Sequence, residues 1–176
     1  MNSTFKLKLI QALNKKNGNK GFTLIELLVV VIIIGVLAAI ALPNLLGQVA
    51  KGRQAEARTH LASINRAQQA HRLETGSFGI FSTDADNNEL PVSIAAPQYY
   101  EFEQGIAPIR EEAGTNAVAI DDYQDDIRDY SAAVAQTDAG VFSAAICETD
   151  NPADALVQAT TTDGTAQCAE GSKQIK

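Results

Sequence analysis

Polar and apolar residues are so unevenly distributed that the first half of the chain divides by pattern alone. From Leu27 to Leu42 no side chain is charged or polar, with only the small Gly35 interrupting the bulk, and extending back to Phe22 adds just Thr23 and Glu26. A run of this length suffices to span a bilayer as a helix. After Pro43 the helical pattern resumes in another character. Ala57, Leu61, Ile64, Gln68 and His71 recur at steps of three and four, while Lys51, Arg58, Arg66 and Arg72 fall largely off that stripe. Gly76, after Glu74-Thr75, is a stop signal. The pattern predicts one helix from Phe22 to about Thr75, on the order of 80 Å long. It is apolar all round in its first half and amphipathic in its second. Two positions weaken it. Pro43 cannot donate to the carbonyl of Ala39, and Gly35 costs about 1 kcal/mol relative to Ala.

Beyond Gly76 the period changes. Residues 76–97 carry Asp, Asn and Pro without a repeat and read as a loop, and Tyr99 to Glu103 alternates as a short strand. Tyr130 to Gln136 and Val141 to Cys147 are strand-compatible runs joined by Thr137-Asp138-Ala139-Gly140, which reads as a hairpin turn. Three or more antiparallel strands are expected, and so small a sheet is stable only with one face covered. The stripe from Ala57 to His71 is the available cover, so the fold class is α+β.

Charge orients this arrangement. Lys6, Lys8, Lys15, Lys16 and Lys20 precede the apolar run and no acid does, which keeps that end cytoplasmic and sends everything after Pro43 outside. The whole chain carries a formal −7, and without residues 1–21 it has 9 basic against 21 acidic side chains, a formal −12. So acidic a surface repels nucleic acid, and direct nucleic-acid binding is not expected.

Glu26 is the anomaly of the apolar run. A carboxylate at the bilayer centre costs roughly 2.5 to 3.5 kcal/mol on insertion scales and calls for a partner. A cut between Gly21 and Phe22 would create one, an α-amino group about one helical turn from Glu26 in the same copy or a neighbouring one. Lys-Gly-Phe-Thr-Leu-Ile-Glu at residues 20–26 resembles the type III signal sequence of type IV pilins and their relatives. The resemblance implies that a membrane-bound prepilin peptidase cuts after Gly21 and methylates Phe22, and that Glu26 guides docking of subunits. It also implies that the segment from Gly35 to Pro43 loses helicity in the filament, against a simple proline kink in the isolated subunit. A conventional secretory signal is the rival: Ala39-Ile40-Ala41 fits its cleavage pattern, but leaves Pro43 two residues after the cut and Glu26 unexplained.

The organisation expected is a leader at 1–21, a membrane or filament-core helix at 22–43, the amphipathic half of the helix at 44–76, and a β domain at 77–176. The two cysteines, Cys147 and Cys168, fall on the exported side, where an even count reads as one disulfide. In pilins such a disulfide-closed loop is an exposed surface used in contacts. Two acidic stretches raise calcium. Asp84-x-Asp86-x-Asn88 starts like a calcium loop but has Glu89 and Ala95 where Gly and a bidentate acid are needed, and carboxylates packed like Asp121, Asp122, Asp125, Asp126 and Asp129 are more often a solvated loop or frayed turn than a calcium site. His60 and His71 lie about 16 Å apart along a helix and cannot share a metal ion. His71, on the stripe, is expected in the core. No catalytic constellation, cofactor motif or phosphate loop is evident, so an enzyme is not expected.

The resemblance implies a structural subunit of a type IV pilus that polymerises with copies of itself through the N-terminal helix. Its other partners would be the prepilin peptidase, the pilus assembly machinery and the inner membrane that holds the precursor. The assembled fibre would stand on the cell surface and serve motility, adhesion or DNA uptake. A pseudopilin of a type II secretion system shares this logic and is the alternative. A membrane-tethered binding domain that never polymerises is the alternative of another class.

Overall fold

The computed structural model describes residues 21–94 and 96–175. The leader with its lysines at 1–20, and Ala95 of the calcium-loop spacing, lie outside the described residues. The chain divides into two compact units, up to Asn44 and from Leu45. One helix, α1 (Leu24–Thr75), runs through both.

The described part of the first unit is helical from Leu24 onward, and the helix continues through Gly35 and Pro43. A Cβ at Gly35 would meet nothing within 4 Å. Packing within the single chain therefore does not require glycine there.

The second unit holds the rest of α1 and a five-stranded antiparallel sheet in the order β1 (Tyr100–Gln104), β2 (Glu112–Ala119), β3 (Tyr130–Gln136), β4 (Phe142–Thr149), β7 (Ser172–Gln174). β5 (Ala159–Thr162) and β6 (Thr165–Cys168) form a separate two-stranded hairpin. The stripe read from the sequence is the face that packs: Ala57, Leu61, Ile64 and Gln68 are buried, joined by Gln54, Asn65 and Ala67. Leu61 and Ile64 are fully enclosed with Tyr100, Phe102, Ala117 and Ala132 in one core. Each such aliphatic side chain contributes about 1.5–3 kcal/mol. His71 departs from expectation. It is half-buried near the end of the helix, with Nδ1 3.0 Å from the Ser77 carbonyl. Gly76 closes α1 at φ 89°, its N–H bonded to the Arg72 carbonyl, a left-handed cap that Gly adopts without steric cost.

The sheet is larger than its sequence signal. β3 and β4 pair with Tyr130 opposite Glu148 and Gln136 opposite Phe142, around the expected turn. The strand expected at Tyr99 to Glu103 begins one residue later. β2 was not expected, because Glu-Ala-Gly-Thr-Asn-Ala-Val-Ala contains one β-branched aliphatic residue and weak strand formers. It forms because strands on both sides hold it: β1 aligns Phe102 with Ala117, and β3 aligns Ala132 with Thr115.

The C-terminal segment is also more ordered than a bare disulfide loop. Cys147 on β4 and Cys168 on β6 are bonded, with Cα atoms 5.5 Å apart and a sequence separation of 21. The β5–β6 hairpin packs on the far face of the sheet through Ala133, Ala145, Cys147, Ala159 and Ala166. Small side chains on both partners let the backbones approach closely. A Cβ at Gly164, whose φ is 71°, would stand 2.6 Å from Thr137 Cα. Replacing Cys147 or Cys168 with Ser should therefore loosen a packed hairpin by about 3 kcal/mol and expose its turn to protease while membrane insertion stays normal. Limited proteolysis of membranes reads this out, and equal digestion of wild type and variant would rule out a stabilising bridge.

Candidate functional site

The beginning of α1 is built by local chemistry. Thr23 precedes the first helical residue, and its Oγ1 accepts from the Glu26 N–H at 3.3 Å, while Glu26 Oε2 accepts from the Thr23 N–H at 3.4 Å. Thr-x-x-Glu in this reciprocal arrangement is a capping box, which satisfies two amide donors otherwise left without partners at a helix start. The carboxylate also sits where the helix dipole favours negative charge. Sequence reasoning treated Glu26 only as an intramembrane charge; the Thr23 to Glu26 spacing was the signal for the cap. Phe22, 81% exposed, stands just before it. A Cβ at Gly21 would meet nothing within 4 Å, so nothing in the described chain demands glycine there.

From Phe22 to Val49 every large apolar side chain is at least 44% exposed, and Leu24 reaches 90%. The most apolar window of α1 has a mean hydropathy of 3.1 with none of it buried, so α1 is long and apolar enough to cross a membrane. An apolar surface this extensive and continuous is not tolerated in water and marks a surface for lipid or for other protein.

In the second unit, a buried carboxylate ties α1 to the sheet. Glu148 on β4, 6% exposed, accepts from Arg58 Nη2 at 3.0 Å and Arg128 Nη1 at 2.9 Å, with Lys173 Nζ at 3.7 Å. The Tyr130 hydroxyl accepts from Arg58 Nη2 at 3.0 Å, and its proton can go to Gln54 Oε1 at 3.0 Å or Glu148 Oε2 at 3.2 Å. Burial pushes the Tyr130 hydroxyl up to about 12, which keeps it protonated at neutral pH. Burial alone would lower the Arg58 pKa, but Tyr130 and Glu148 outweigh it and raise the pKa. No sequence spacing announces this cluster, whose members are up to 90 residues apart.

The acidic stretch at 121–129 is only partly a solvated loop. Asp121–Tyr123 forms a 3-10 turn, Asp126 pairs with Arg53 at 3.5 Å, and Asp129 Oδ1 accepts from the Ala119 N–H at 2.7 Å. Arg53 also lies over the Tyr123 ring, 4.4 Å from its centroid. In the 84–88 segment, Asp84 accepts from the Asp86 N–H and the Asn87 amide, and Asn88 donates to the Leu90 and Val92 carbonyls. His60 packs edge-on against Phe102. Among the described residues no three His, Cys, Asp or Glu side chains converge on a position for a metal ion.

A family model described as type IV pilin-like G and H matches residues 54–169, and a second, the prokaryotic N-terminal methylation motif, matches residues 16–42. The chain belongs to the type IV pilin-like family. Among its relatives, the type IV major pilin protein PilA of Myxococcus xanthus is 46% identical over 66 residues, 38% of this chain and 30% of that protein. The type II secretion system core protein G of Vibrio cholerae is 31% identical over 93 residues, 53% of this chain and 62% of that protein. The type IV wide pilus major component PilA4 of Thermus thermophilus is 33% identical over 90 residues, 46% of this chain and 69% of its own length. The chain thus spans less than two thirds of the first two relatives. No solved structure matches it. With the family known, the long helix on an antiparallel sheet and the Cys147–Cys168 bridge are the pilin-like α+β fold expected from the sequence.

Proposed function

We propose that this pilin-like chain is a structural subunit of a type IV pilus, cleaved after Gly21, methylated on Phe22 and polymerised through α1. The observation that carries the reading is the continuous exposure of the apolar side chains from Phe22 to Val49. Before assembly, in this reading, the subunit pool sits in the inner membrane with lipid covering that surface. In the filament the helices of neighbouring copies cover it, and the acidic second units face outward from the cell. Glu26, within a turn of the new α-amino group, takes the role of docking partner, and the segment from Gly35 to Pro43 is where the bundled helix yields under tension. Assembly depends on the prepilin peptidase and on pilus machinery that supplies force. The fibre serves surface motility, adhesion or DNA uptake as a structural element, with no chemistry of its own.

The second reading, a pseudopilin of a type II secretion system, is favoured by the similarity to core protein G over 62% of that protein's length. The packed, disulfide-closed C-terminal hairpin and the 46% identity to a major pilin support the pilus. Electron microscopy of sheared surface fibres, with mass spectrometry of their main polypeptide, tests the choice. The pilus reading expects fibres composed of this chain, beginning at N-methylated Phe22, with Gly21→Val accumulating as uncleaved precursor. Surface fibres lacking this polypeptide would transfer it to the secretion system, and a mature chain starting at Leu42 would establish the secretory signal instead.

A further inference from the structure

We propose that in the membrane-held subunit the first turns of α1 beyond Pro43 lie in the outer lipid interface, with Leu45, Leu46 and Val49 turned into the acyl chains. The inference rests on the membrane-held pool of the filament reading and gives the outer end of its lipid contact a specific arrangement. From Phe22 to Leu42 the helix rises roughly 30 Å, the thickness of the hydrocarbon core. Apolar exposure does not stop there. Leu45, Leu46 and Val49, all within the second unit, are 59%, 68% and 44% exposed. The next charge after Glu26 is Lys51, so the uncharged run from Leu27 to Ala50 rises about 36 Å and exceeds the core. A surplus of this kind is taken up by tilting or kinking the helix. Pro43 stands at the boundary, where the missing bond to the Ala39 carbonyl makes bending easiest.

These turns are two-sided. Spacings of one and four keep Leu45, Leu46 and Val49 within about 100° of arc, while the exposed Gln48 and Lys51 occupy the other side. Arg53 falls on the apolar side, but it pairs with Asp126 and lies over the Tyr123 ring, so it is held against the head. A notch of about 320 Å³ separates Leu46 and Val49 from Asp125 and Asp126, so the head does not cover this face itself. An apolar face backed by a polar one is the pattern of a helix lying in a membrane interface. Among the described residues, the other exposed large apolar side chains of the second unit are Leu73, Ile80, Ile109 and Val141. They belong to four separate segments, and none continues the apolar run. Asp125 at the rim of the notch and the acidity of the mature chain disfavour anionic headgroups. Apolar burial, not charge, therefore carries the contact.

The chain has no Trp, so a single introduced Trp reports its own surroundings. The test reconstitutes the full chain in neutral phosphatidylcholine vesicles at high lipid-to-protein ratio, with and without lipids brominated on their acyl chains. Leu46→Trp and Val49→Trp should be quenched at least half as strongly as Ile33→Trp, whereas Thr59→Trp, exposed farther along α1, should not be quenched. Trp itself favours the membrane interface. The unsubstituted chain is therefore also labelled with a photoreactive probe dissolved in the acyl chains, and label should extend through residues 45–49. With Ile33→Trp quenched, label that stops at Leu42, or Leu46→Trp and Val49→Trp quenched no more than Thr59→Trp, overturns the interfacial contact while the membrane placement stands. An unquenched Ile33→Trp overturns both.

Discussion

Glu26→Ala should leave the subunit in the membrane and remove most of the fibre. Insertion depends on the apolar run, and losing a carboxylate from it can only ease transfer into lipid. Assembly is different if the α-ammonium of Phe22 is buried against Glu26, because removing one partner of a dry ion pair costs roughly 3–5 kcal/mol. That is more than a hundredfold in the association constant. The capping box supplies a competing account, in which the variant merely frays the first turn of α1, and a cap of this kind is worth only about 0.3–1.5 kcal/mol. Glu26→Gln separates the two, since Gln at this position still accepts from the Thr23 amide but carries no charge. If the cap were the whole role, Glu26→Gln would assemble like wild type; if charge docks the subunit, it should fall well below wild type and at best lie between wild type and Glu26→Ala. Immunoblots of membrane fraction and sheared fibre measure all three, with cleavage at Phe22 confirmed by mass. Full fibre yield from Glu26→Ala would reduce Glu26 to a helix cap.

The parts of this fold that were legible in the sequence are those that depend on neighbours in the chain. The buried face of α1 followed from the spacing of Ala57, Leu61, Ile64 and Gln68, and the β3–β4 hairpin from two β-compatible runs around Thr137 to Gly140. What stayed hidden depends on partners far away. β2 has little strand propensity of its own and owes its conformation to β1 and β3. The β5–β6 hairpin looked coreless because its buried residues are alanines, whose contribution appears only once the alanines of β3 and β4 lie beneath them. Around the candidate assembly site the balance was similar. The apolar run and Glu26 were conspicuous, whereas the cap role of Thr23 was missed because the carboxylate was weighed as a charge in lipid and not as a hydrogen-bond acceptor at a helix start.

Glu148→Ala should destabilise the head by about 2–3 kcal/mol, the range for hydrogen bonds to a charged group left without its partner. The side chains of Arg58 and Arg128 are 41% and 28% exposed, so water recovers part of what each guanidinium loses. This holds the expected cost below the 3–5 kcal/mol of a fully buried pair. For a domain of this size it corresponds to a fall of roughly 10 °C in Tm. Glu148→Gln keeps the shape and one acceptor and should cost less. Exposed Glu101, away from the helix contact, provides the control, and Glu101→Ala should stay within about 0.5 kcal/mol of wild type. Melting of the detergent-solubilised chain, followed by the near-ultraviolet signal of its tyrosines, reads all three variants, since Tyr130 sits within the network. Should Glu148→Ala melt with wild type, the ionic cluster contributes nothing net, and the helix is held to the sheet by Leu61, Ile64 and their apolar neighbours alone. Should it melt early, a single buried carboxylate is joining α1, β3, β4 and β7, because Arg58, Tyr130 and Lys173 reach it from three different elements. Loosening that junction then predicts a subunit that is inserted and cleaved normally but cut by protease within its head.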